Sequence, residues 1–134
     1  MTSWSSLPYE LKLQIAKDFI DIILAQVPAF PVGLRPRKVA PVYGNYVCDQ
    51  YIPYRKRQVW ALIQVIPGLQ EDLSKYCEKE AKVASSKVWN TRLSSEKRMW
   101  FHTVAYVARD LTDDRSALLT REMTRLLEYL AGTV

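Results

Sequence analysis

Five of the chain's seven prolines fall between residues 28 and 53: Pro28, Pro31, Pro36, Pro41 and Pro53. Each removes a backbone donor and clashes with the preceding helical turn, and each restrains the residue before it. No continuous helix is expected there. The stretch divides the chain into a first helix, a long irregular connector over 28–53, and a helical remainder over 54–131. The connector's apolar residues, among them Phe30, Val39, Tyr43, Val47 and Tyr51, predict that it packs on the body instead of floating free. Short strands around 42–47 are a second reading of the same stretch.

The flanking segments read as helices. Pro8 suits a first helical turn, and Glu10 favours the positive end of the helix dipole. Leu11, Ile15, Phe19, Ile22 and Ile23 recur at three- and four-residue steps, which predicts one inward apolar face on a helix over 8–27. Further helices are expected over 54–66, closed by Pro67-Gly68, and over 69–90, with Leu69, Leu73, Tyr76, Cys77, Val83 and Trp89 on the apolar side. Ser94 or Ser95 can cap another running to about residue 111, whose inner face is Met99, Trp100, Thr103, Val104, Val107 and Leu111. Thr112 is a good cap for a last helix carrying Leu118, Leu119, Met123, Leu126, Leu127 and Leu130. The pattern predicts an all-α fold, a compact bundle of four or five helices in one domain over 1–134. At 134 residues such a chain buries enough surface to need no disulfide or metal.

Net charge is +5 and unevenly placed. Arg35, Arg37, Lys38, Arg55, Lys56 and Arg57 face only Asp49 between residues 28 and 60, so this stretch alone carries +5. These two basic clusters, with Tyr51 and Tyr54 between them, are the candidate basic and aromatic surface. Its chemistry suits an acidic protein surface, through charge complementarity, or a nucleic acid, through phosphate contacts and base stacking. The bland alternative is a solvated loop whose tyrosines pin it to the core.

Catalytic chemistry finds little footing. The four glycines are scattered singly, which gives no phosphate loop, and no nucleophile elbow is present. His102 is the lone histidine, expected as a half-buried residue hydrogen-bonded to a neighbour. Cys48 and Cys77 are too few for a disulfide framework or a zinc site and are expected as reduced thiols. Asp110, Asp113 and Asp114 read as capping and dipole residues, not metal ligands. No catalytic residue, metal or cofactor is assigned. The start of the chain lacks a basic, then apolar, then small-residue pattern, and no apolar run is long enough to span a bilayer, which predicts an intracellular protein, cytoplasmic or nuclear.

The segment Trp4-Ser-Ser-Leu7-Pro8-Tyr-Glu10-Leu11-Lys-Leu-Gln-Ile15-Ala16 resembles the opening of an F-box, and looks most like fungal proteins that begin with a Leu-Pro-x-Glu-Leu-x-x-x-Ile helix. The match covers about 20 residues, and the later helices and Cys–Trp pair of an F-box have no counterpart at matching positions. The resemblance implies a non-enzymatic protein-interaction module. In it Leu7, Pro8, Glu10, Leu11 and Ile15 would pack against a Skp1-like adaptor, and the rest of the chain would hold another protein. The alternatives are a basic nucleic-acid-binding module using residues 35–60 and, third, an enzyme or binder with an aromatic pocket for a small ligand. Oligomeric state is not legible.

Overall fold

The computed structural model describes residues 6–113, 125–126 and 128–130. Among them the fold is all-α, with five α-helices and no strand: α1 (Tyr9–Ala25), α2 (Pro36–Tyr46), α3 (Ile52–Val65), α4 (Leu69–Val88) and α5 (Ser95–Asp110). Most of the predicted last helix lies outside the described residues; within it, 125–126 and 128–130 are helical.

The connector is the main correction to the sequence reading. In this part of the chain only residues 26–35 run without helix; from Pro36 to Val65 the chain is helical, and the short strands expected over 42–47 are absent. A single π-helical turn, Val47–Tyr51, joins α2 to α3, and the residues at both joints hold right-handed helical angles. The path from Pro36 to Val65 is therefore one long helix. Three features reconcile it with its prolines. Pro36 occupies the first helical position, where no donor is needed. Pro41 lies inside α2 and forgoes one bond. Pro53 follows directly on the wider π turn, which is closed by the bond from the Ile52 N–H to the Val47 carbonyl. That five-residue step also keeps the buried face aligned: Ala40, Tyr43 and Val47 precede it, and Ile52 and Val59 follow. With about 100° per residue, an unbroken α-helix would turn the two halves of this stripe roughly 100° apart.

The predicted capping of α5 holds. Ser94 Oγ accepts from the Lys97 N–H at 3.2 Å. Its inner face, Met99, Thr103, Val104, Val107 and Leu111, is buried as expected, with Trp100 half-buried. Helices α4 and α5 form an antiparallel hairpin. Arg98 Nε donates to the Val88 carbonyl at 2.6 Å near one end, and Arg109 Nε lies 3.7 Å from Glu78 Oε2 near the other. Between α3 and α4, Gly68 turns the chain at φ +82°, a left-handed conformation that favours glycine.

Helix α1 packs against α3, α4 and α5, and its C-terminal end is the hub of the fold. The last carbonyls of a helix have no partner within it. Here three donors, two from the long helix and one from α5, reach carbonyls at and just beyond that end. The Tyr51 hydroxyl donates to Ile23 O at 2.6 Å, Trp100 Nε1 to Val27 O at 3.1 Å, and the Tyr43 hydroxyl to Pro28 O at 2.5 Å. Phe30 meets the Tyr43 ring edge-on, with centroids 5.3 Å apart. The connector is thus pinned to the body by its tyrosines.

The inward face of α1 differs from the expected one. Ala16, Ile20, Ile23 and Leu24 are buried, while Leu11, Ile15 and Ile22 are 51%, 44% and 50% exposed. Helix α1 carries two apolar stripes on opposite faces. Asp18 lies between Ile15 and Ile22 on the second stripe, and turning that stripe inward would bury a carboxylate without compensation. The other stripe offers Ala16, a small residue that allows close approach, and no charge. Likewise, Val83 on α4 and Trp89 at its C-terminal cap are exposed, and Ala81, Ala84 and Val88 fill the core in their place.

Candidate functional site

The outward stripe of α1 gathers most of the residues of the F-box-like opening. Pro8, Glu10, Leu11 and Ile15 are exposed, and Leu7 is half-buried. Ile22 extends the same stripe two turns further. The sequence pattern points it inward, since periodicity alone does not say which of two apolar stripes faces the core. The flank of the stripe is acidic: Glu10 and Asp18 are exposed, and Gln14 Nε2 donates to Asp18 Oδ1 at 2.9 Å. Tyr9 and Tyr76 anchor the inner edge of the helix. The Tyr9 hydroxyl donates to Asp72, and that bond, more than burial, pushes its pKa up to about 12. The Tyr76 hydroxyl donates to Asp21. The outer face of α1 is therefore a fixed surface, tied to α4 from below.

The basic and aromatic stretch is divided by the fold. Arg35, Lys38, Tyr54 and Arg57 are exposed. Nothing is described of the Arg37 side chain. Tyr51, assigned to the surface, is buried, because its hydroxyl is spent on the end of α1. Arg55 turns back toward the same place. It donates to Gln26 Oε1 and, at 3.1 Å, to Gln58 Oε1, and its guanidinium lies 5.6 Å from the Tyr51 ring centroid and 5.4 Å from that of Tyr54. Lys56 points inward between α3 and α5, where its Nζ lies 4.0 Å from Asp110 Oδ2. The Arg55-Lys56-Arg57 cluster thus gives only Arg57 wholly to solvent. Consecutive residues on a helix face different ways, so a run of three charges cannot form one surface.

Asp110 is no capping residue. It is 2% exposed, its Oδ1 has no hydrogen-bond partner, and burial raises its pKa while Lys56 opposes the rise. His102 is half-buried as expected, and its Nε2 is buried without a hydrogen-bond partner. Burial, with the Arg109 charge second, holds it below its ordinary pKa. Cys48 and Cys77 are buried and not disulfide-bonded, and burial pushes the Cys77 thiol up to about 12, far from a reactive thiolate. Among the described residues no group of three or more His, Cys, Asp or Glu could hold a metal ion, and no helix is long and apolar enough to cross a membrane.

No protein-family model matches the chain, and no curated protein or solved structure is measurably similar to it.

Proposed function

We propose that this protein is an interaction module that docks a partner protein through the outward face of α1. One observation carries the reading: α1 keeps a second apolar stripe, Leu11, Ile15 and Ile22, on the face opposite its core stripe. Single exposed apolar residues are ordinary, but a helix apolar on two faces is expected where both faces are covered. Leu7, Pro8, Glu10, Leu11 and Ile15 lie along this side of the helix or just ahead of it, and the F-box-like opening they form names a Skp1-like adaptor as the first partner to try. The rest of the chain then acts as the body that holds the helix rigid and carries further binding surface.

The test compares the wild-type chain with Leu11→Ser combined with Ile15→Ser in binding to a Skp1-type adaptor. Both positions are exposed, so the thermal midpoint should stay within about 2 °C of wild type while binding is lost. Equal binding by the variant, or no binding by the wild type, would overturn the adaptor reading.

A further inference from the structure

We propose that the seam between α4 and α5 holds a binding site for a small aromatic carboxylate. A cleft of about 200 Å³ runs along that seam, lined by Ser85 and Val88 of α4, Trp89 just past its end, His102 and Arg109 of α5, and Tyr129, with Leu126 and Leu130 closing its apolar side. Drug-sized ligands occupy roughly 300–1,000 Å³, so this volume suits a single-ring molecule.

The lining is chemically one-sided. Arg109 supplies a positive charge, Ser85, Trp89 and Tyr129 supply neutral donors, and no carboxylate lines the cleft among the described residues. Arg109 and Glu78 make an ion pair at 3.7 Å with both side chains about half exposed. A pair that open is weak and exchangeable, so the guanidinium can take a ligand carboxylate as a bidentate partner. The order of residues gives the cleft a direction. His102 and Arg109 are seven residues apart on α5, about 10 Å at 1.5 Å per residue. The antiparallel partner brings Ser85 and then Trp89 alongside His102 and beyond it. An occupant would set its carboxylate at Arg109 and its ring toward Trp89, Val88 and Leu130.

Two further observations fit an occupant. His102 Nε2 is buried in the middle of this seam with no hydrogen-bond partner, a cost that a polar atom of a ligand would relieve after a small side-chain rotation. Trp89 is 64% exposed although tryptophan is highly buried on average. A stacked ring would supply that cover.

The experiment titrates the intact chain with phenylacetate, its neutral isostere phenylacetamide, and acetate, following backbone amide and indole signals by NMR. Phenylacetate should shift Ser85, Trp89, His102 and Arg109 above all others, and the other two compounds should bind at least about tenfold more weakly, the worth of one charge-assisted hydrogen bond or one stacked ring. Arg109→Gln and Trp89→Ala, both at exposed side chains, should each weaken phenylacetate by a similar factor and leave the spectrum elsewhere intact. Shifts scattered over the surface, acetate binding as well as phenylacetate, or either variant binding phenylacetate like wild type would overturn the proposal. None of these outcomes depends on the α1 surface.

Discussion

The Tyr51 hydroxyl donates to the carbonyl of Ile23 at 2.6 Å, joining the π turn of the long helix to the end of α1 across 28 residues of sequence. The bond is buried, and it satisfies a carbonyl whose other donor among the described residues is the Gln26 N–H at 3.2 Å. Tyr51→Phe should cost about 1 kcal/mol, the net worth of such a bond, and lower the thermal midpoint by roughly 4 °C. Calorimetry checks this; an unchanged midpoint would mean that the Gln26 N–H suffices alone.

Ser94 caps α5 through its side chain, and among the described residues no second side-chain cap of this helix is present. Ser94→Ala should destabilise by about 1 kcal/mol, and Ser94→Asp should retain most of the wild-type stability. Denaturant unfolding of the three proteins separates the capping effect from a general intolerance at the position, in which case both variants would fall equally.

Gly68 holds φ +82°, and a Cβ built on it meets nothing within 4 Å. The cost of Gly68→Ala is then conformational and not steric, about 1 kcal/mol. Gly68→Asn should cost less, since asparagine tolerates the left-handed region. A ranking of Gly, Asn, Ala in thermal midpoint is the expected result, and Asn falling below Ala would contradict it.

Two buried groups give opposite slopes of stability against pH. His102 titrates lower in the folded chain than its ordinary 6.5, so the unfolded chain takes up the proton first, and stability is lost as pH falls through that value. His102→Gln should flatten the loss that sets in as pH falls below 6.5. Asp110 titrates above its ordinary 3.8 when folded, so its contribution is fully present below 3.8 and is lost as pH rises through the raised value. Asp110→Asn should remove that loss, and above the raised value it also leaves Lys56 without the counter-charge that the ionised carboxylate supplies. Urea midpoints across pH for the three proteins would show both slopes, and parallel curves would refute both assignments.

The sequence carried the helical class, the α4 and α5 boundaries within about two residues, and the Ser94 cap, because each rests on a local cause: a three-to-four periodicity, a Pro-Gly stop, a hydroxyl before a helix. It misplaced what depends on the rest of the molecule. The prolines point to an irregular connector because each forbids an ideal α-helix, and a π turn ahead of Pro53 lies outside that rule. Leu11, Ile15 and Ile22 were read as core because only tertiary packing chooses between two apolar stripes. Arg55 and Lys56 were read as surface because adjacent charges look like one patch until a helix turns them apart. Nothing local marks the partners of Tyr51 or Asp110, which lie 28 and 54 residues away in sequence.

The π turn has one consequence for how this chain tolerates change in length. Between Pro36 and Val65 the helix has a residue more than its buried stripe needs, and the surplus is stored at 47–51. Removing one of the exposed residues there, Asp49 or Gln50, together with Pro53→Ala, would tighten the turn to α and leave Ala40, Tyr43 and Val47 facing the same way as before. A deletion one turn to either side would instead swing α2 about its axis by roughly 100° and carry Tyr43 away from Pro28. The same lost residue is thus absorbed at the one place and would undo the pinning of the connector at the other.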